Sequence, residues 1–100
     1  RYYKMAADKG EINAMFNYGT MLYNGEGVQM NKKEAGKLFK MAANKGDRDS
    51  MVNYATMLLT GDGVPMNKKE ACRYFKMAAD KGDMEALLYY YSMMIPNANA

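Results

Sequence analysis

Lys4-Met5-Ala6-Ala7-Asp8-Lys9-Gly10 returns as Lys40-Met41-Ala42-Ala43-Asn44-Lys45-Gly46 and again as Lys76-Met77-Ala78-Ala79-Asp80-Lys81-Gly82. The offset is 36 residues both times. A second block keeps the same offset: Gly25-Glu26-Gly27-Val28-Gln29-Met30-Asn31-Lys32-Lys33-Glu34-Ala35 against Gly61-Asp62-Gly63-Val64-Pro65-Met66-Asn67-Lys68-Lys69-Glu70-Ala71. Residues 1–36 and 37–72 agree without a gap at 21 of 36 positions. A period of this size describes a stacked array, in which each unit cannot bury its apolar face alone and contacts mainly its neighbours.

Each unit divides into two helices. Asn31 and Asn67 read as N-caps with Glu34 and Glu70 three residues on, the spacing of a capping box. The helix that follows closes at Gly46 or Gly82, where glycine suits a left-handed C′ residue, with Lys45 or Lys81 favoured by the helix dipole. Asp47 and Asp83 then cap a second helix. Glu11 takes that place in the first unit, with Asn13 as an alternative cap. Ala14, Met15, Tyr18, Gly19 and Leu22 follow a period near 3.6, and the long segments lack the alternation of strands. The expected order is a fragment of helix B (1–9), then helix A (12–24), B (32–45), A (48–60), B (68–81) and A (84–95). Residues 1–96 form one array under this reading, and 97–100 form a disordered tail.

Composition excludes several functions. The 100 residues contain no histidine and a single cysteine, Cys72. The commonest general base and metal ligand is therefore missing, and neither a disulfide nor a Cys/His zinc site can be assembled. Cys72 reads as a free thiol, since no histidine exists to activate it. The glycine turns around Glu26 and Asp62 lack a following Gly-Lys-Ser/Thr and hold an acid between the glycines, which is wrong for phosphate. Asp47 with Asp49, and Asp83 with Glu85, sit in first helical turns, where acids are favoured, and no second acid cluster completes a calcium loop. No catalytic residue, metal or cofactor is expected. Net charge is +3, from 14 bases, mostly lysine, and 11 acids that alternate along the chain. No apolar run approaches the ~20 residues of a membrane helix. The chain shows no signal peptide and opens on Arg1, so its natural N-terminus is expected to be missing. The cytoplasm is the favoured compartment.

The run from Ala14 through Gly19 to Gly25-Glu26-Gly27-Val28, followed by Lys33-Glu34-Ala35 and Ala42-Ala43-Asn44-Lys45-Gly46, resembles a Sel-one-like repeat, a branch of the tetratricopeptide-like helical solenoids. The resemblance covers about two and two-thirds repeats. It implies an all-α fold, a right-handed α-α superhelix of stacked antiparallel helix pairs. Lys33 and Lys69 stand where the family often has alanine, and Leu22 and Leu58 where it has tyrosine. Tyr91 takes the place of Gly19 and Ala55, and Pro96 the place of the next glycine turn. A tyrosine there would collide with a following helix B, so the sequence reads as the C-terminal end of a longer array. Tyr2, Tyr3 and Met5 are expected to expose an apolar edge. The β-lactam link of cysteine-paired relatives does not carry over, because those cysteine pairs are absent.

The resemblance further implies an adaptor that binds a protein or peptide partner on the concave face lined by the A helices. The tetratricopeptide pattern places Asn13, Phe16, Asn17, Thr20, Tyr23 and Asn24 on that face. Asp49, Val52, Asn53, Thr56, Leu59 and Thr60 follow in the second repeat, and Glu85, Leu88, Tyr89 and Ser92 in the third. Asn17 and Asn53 are the leading candidates, because an amide side chain both donates to and accepts from a peptide backbone. Met5, Met41, Met77, Met21, Met57 and Met93 repeat at fixed period and are expected to fill equivalent core gaps. Met30 and Met66 are placed as hydrophobic staples ahead of the B-helix caps. Tyrosines 89 to 91 read as a cap on the last layer. Nucleic-acid binding through Lys32, Lys33, Lys37, Lys40, Lys68, Lys69, Arg73 and Lys76 is a disfavoured alternative, since Glu34 and Glu70 interrupt the row. Self-association through the N-terminal edge or the tyrosine cluster is another.

Overall fold

The structure, a computed structural model, describes residues 2–95. Arg1, Pro96 and the tail 97–100 lie outside the described residues, and with them the expectations placed there. Six helices follow one another: α1 (Tyr2–Asp8), α2 (Ile12–Asn24), α3 (Lys32–Asn44), α4 (Arg48–Thr60), α5 (Lys68–Asp80) and α6 (Met84–Met94). Each helix packs mainly on the one before and the one after it, so the chain forms an elongated right-handed solenoid of antiparallel helix pairs, 48 × 24 × 16 Å.

The repeated Ala-Ala-x-x-Gly run builds the joint from a B helix to the next A helix. Gly46, at φ 103°, donates its amide to Ala43 O at 2.9 Å, and Asp47 donates to Ala42 O at 3.0 Å. This pair of bonds is a Schellman closure, and it needs the left-handed conformation that glycine enters without penalty. Gly82 and Asp83 repeat it on Ala79 and Ala78. The same Asp47 then opens α4 by accepting the amide of Ser50 at 2.9 Å, as Asp83 opens α6 by accepting that of Ala86 at 2.8 Å. Glu11 occupies the equivalent place before α2 but makes no side-chain cap.

Asn31 and Asn67 cap α3 and α5 through their carboxamide oxygens, each 3.0 Å from the amide of Glu34 or Glu70. The reciprocal half of a capping box is not made. The amide of Asn31 instead donates to Leu22 O, and that of Asn67 to Leu58 O, both at 2.8 Å. The freed acids turn along their own helices. Glu70 takes a bidentate pair from Arg73 at 2.8 and 3.0 Å, and Glu34 lies 4.0 Å from Lys37 Nζ.

The core runs as a seam between layers. Alanines 6, 7, 35, 42, 43, 71 and 78 let helices approach, and Met15, Phe39, Met51, Tyr74 and Phe75 fill the space. At Gly19 the approach is close: a Cβ there would lie 2.9 Å from the ring of Phe39. Tyr74 and Tyr54 meet edge to face at 5.0 Å, and the Tyr74 hydroxyl donates to Asn44 Oδ1 at 2.8 Å, tying α5 to α3.

The methionines divide. Met57 is buried, but Met5, Met41, Met30 and Met66 are about half exposed or more. Repeat equivalents share their surroundings, Met5 with Met41 and Met30 with Met66, and a fixed period does not by itself mean burial. Met5 and Met41 lie on the outward face of their helices, so they do not fill core gaps. Met30 and Met66 are 55% and 59% exposed, and their backbone and Cβ lie against Gly25 and Gly61. Tyr91 is 54% exposed and covers no core layer, whereas Tyr89 stacks on Phe75.

Candidate functional site

The A helices α2, α4 and α6 stand side by side along one face of the solenoid, and the expected groove residues fall mainly at two hollows. The first, about 760 Å³, lies between α1, α2 and the α3–α4 joint. Asn13 and Asn17 line it with Tyr2, Tyr3, Glu11 and Lys45. The second, about 410 Å³, crosses all three A helices. Thr20, Tyr23 and Asn24 come from α2, Val52, Asn53 and Thr56 from α4, and Glu85 and Tyr89 from α6, over a floor of Phe39 and Met57. Ten of the sixteen expected groove residues are thus brought to two neighbouring hollows.

The other six lie elsewhere. Phe16 is half-buried, its ring 6.0 Å from that of Phe39, and belongs to the edge of the core. Asp49 sits with Asp47, Arg48 and Lys81 beside the α3–α4 joint. Thr60 and Ser92 are exposed and bond their own helix backbone, at Thr56 O and Tyr89 O. Leu88 is 70% exposed. Leu59 faces a different hollow, with Lys68, Cys72 and Tyr90, having no polar tip to be held over the groove as Tyr23 is held by Asp62. Phe39 and Met57 were not anticipated in the floor. A glycine in mid-helix at position 19 is the signal that a large side chain from the next helix, Phe39, lies against it.

The polar chemistry of the groove is uneven. The hydroxyls of Thr20 and Thr56 are spent on Phe16 O and Val52 O, both at 2.9 Å. Tyr23 donates to the carboxylate of Asp62, which also accepts from Lys32 Nζ at 3.2 Å. That bond raises the Tyr23 pKa above the ordinary phenol value, and desolvation adds to the rise. The Tyr23 bond, with Lys32 second, holds the Asp62 carboxyl below the usual carboxylate range. Asn17 and Asn53 are half-buried, and among the described residues their amides make no hydrogen bond within the protein. With the exposed Asn13, whose side chain is also unpaired among the described residues, they are amides that stay available to a ligand.

Charge separates by layer. The described residues of the B helices and their closing lysines (2–9, 32–45, 68–81) carry twelve bases and four acids, or +8. The A helices with their joints and turns (10–31, 46–67, 82–95) carry one base and seven acids, or −6. On the outer layer many bases are already engaged: Lys32 with Asp62, Arg73 with Glu70, and Lys76 with Asp80 at 3.1 Å. Cys72 is a free, partly buried thiol. Among the described residues no three carboxylates or thiols converge as metal ligands. No described helix is long and apolar enough to cross a membrane.

The Sel1 repeat model matches residues 1–11, 12–47 and 48–83. Among solved structures, a Sel1 repeat protein from Oxalobacter formigenes is similar over 89% of this chain and 37% of its own, with 30% identity and a TM-score of 0.86. A protective antigen of uropathogenic Escherichia coli strains, displaying an SLR fold, is similar over 85% of this chain and 18% of its own, with 32% identity and a TM-score of 0.81. Cysteine rich protein B of Helicobacter pylori shares the fold over 86% of this chain and 65% of its own, at 24% identity and a TM-score of 0.81. The chain therefore spans less than two thirds of each of these proteins. No curated protein sequence matches it.

Proposed function

The chain belongs to the Sel1 repeat family, and we propose that it is a non-catalytic scaffold that holds a peptide or partner helix along the face of α2, α4 and α6. Proteins of this family are commonly protein–protein interaction scaffolds, generally without catalysis. The observation that carries the finer reading is the pair Asn17 and Asn53. They stand one repeat apart, each on an A helix beside a hollow, with amides unused inside the protein. An extended segment crossing the first two repeats would meet the same donor and acceptor pair at each of them. The half-buried Val52, backed by the buried Phe39 and Met57, supplies apolar surface to this hollow.

Peptides selected from a displayed library against the purified chain test this. The best of them should bind the Asn17→Ala, Asn53→Ala double mutant at least tenfold more weakly. Unchanged affinity would place the partner elsewhere.

Self-association has its own support. Tyr2 is 73% and Met5 53% exposed at one end, and Leu88 and Ile95 are 70% and 59% exposed at the other. Two such apolar ends could meet head to tail, and sedimentation over a range of concentrations reads this out.

A further inference from the structure

We infer that the α6 end of the groove takes a cationic side chain, arginine or lysine, of the bound segment. This deepens the groove reading and rests on it. Glu85 and Tyr89 lie four residues apart on α6, so they share one face, and both line the second hollow. Tyr89 is stacked on the fully buried Phe75, with ring centroids at 4.8 Å and planes at 17°, yet is 39% exposed. One face of its ring is thus held by the core, and the other is left to the groove. Glu85 is exposed, and among the described residues it makes no ion pair. A carboxylate beside a fixed aromatic face is a pair that a guanidinium or ammonium satisfies twice, by an ion pair and over the ring.

The surroundings agree. The one base on the A-helix side, Arg48, lies 3.8 Å from Asp83 and does not enter the second hollow. That side carries −6 against +8 on the outer layer. An acidic segment is repelled from this face, and a basic one is drawn to it. The chemistry also breaks from the repeat. The first two units present Asn13 with Asn17 and Asp49 with Asn53 at these positions, and only the third presents Glu85 with Tyr89. The half-buried Val52 in the same hollow suits the aliphatic stem of that side chain.

The test is a titration of the isotope-labelled chain, followed by amide resonances, with three blocked pentapeptides. Each is four alanines around a central arginine, norleucine or glutamate. The arginine peptide should shift Asn53 and residues 85–89, and bind about fivefold or more tightly than the norleucine peptide, with the advantage shrinking between 20 and 200 mM salt. Glu85→Gln should bring that advantage down to about twofold or less. Tyr89→Phe should keep it and Tyr89→Leu should lose it, with circular dichroism confirming the fold. If all three peptides shift the groove equally, the cation preference is wrong while the groove reading stands. If no peptide shifts the groove, or shifts appear only on α3 and α5, the groove reading falls and takes this inference with it.

Discussion

The Tyr23 hydroxyl donates to the carboxylate of Asp62, joining the end of α2 to the glycine turn of the following repeat across 39 residues of sequence. Lys32 completes the junction, its Nζ 3.2 Å from Asp62 and 4.9 Å from the centre of the Tyr23 ring. The folded state holds the Asp62 pKa down, so this contribution is full above the ordinary carboxylate range and lost as pH falls through the lowered value. The folded state raises the Tyr23 pKa, so the contribution is full below the ordinary phenol value and lost as pH rises through the raised one. The stability difference between the wild type and Tyr23→Phe should therefore be flat from about pH 5 to 9 and shrink on both sides. Urea unfolding at pH 3, 7 and 11 checks it, and a difference independent of pH would refute the junction.

Asn17→Ala and Asn53→Ala should leave stability within about 0.5 kcal/mol of the wild type, because neither amide has a partner inside the protein to lose. A cost above ~1 kcal/mol in urea unfolding would mean that these residues hold helices together and are not groove chemistry.

Glu11→Asp should stabilise the chain by about 0.5–1 kcal/mol, since α2 begins without a side-chain cap while Asp47 and Asp83 cap the equivalent helices. The reverse change, Asp47→Ala, should cost about 1–2 kcal/mol, because the buried Ser50 loses the acceptor of both its amide and its hydroxyl. Thermal and urea melts of the two variants give the signs.

Gly19→Leu should destabilise by about 1–3 kcal/mol, as the added side chain starts 2.9 Å from the Phe39 ring and that ring is 2% exposed. Hydrogen exchange should place the loosening at α2 and α3 and leave α6 unaffected, since contacts run between neighbours.

The fold was legible because its signals are local and repeated. The asparagine caps, the Ala-Ala-x-x-Gly closures and the glycine at 19 each report a nearby hydrogen bond or contact. The surface was less so. A 36-residue period makes Met41 and Met57 look equally core-like, but burial depends on the face each presents to the neighbouring layer, and Met41 is 47% exposed against 3% for Met57. Leu59 and Tyr23 are repeat equivalents. Tyr23 is drawn over the groove by Asp62, while leucine has no such partner and packs toward Cys72 and Tyr90. The reciprocal capping bond failed for a similar reason: Leu22 O competes for the amide of Asn31, and a pattern within one helix cannot show an acceptor on another.

Asp47 belongs to two helices at once, its amide finishing α3 and its carboxylate starting α4, and Asp83 does the same for α5 and α6. A joint made this way leaves no slack backbone to serve as a hinge. The bend of the solenoid is therefore set joint by joint, like the links of a rigid chain, and a small rotation at Asp47 sweeps everything beyond it through an arc. The setting of Asn53 relative to Asn17 therefore depends on the elbow at Asp47, a residue that lines the first hollow with Asn17.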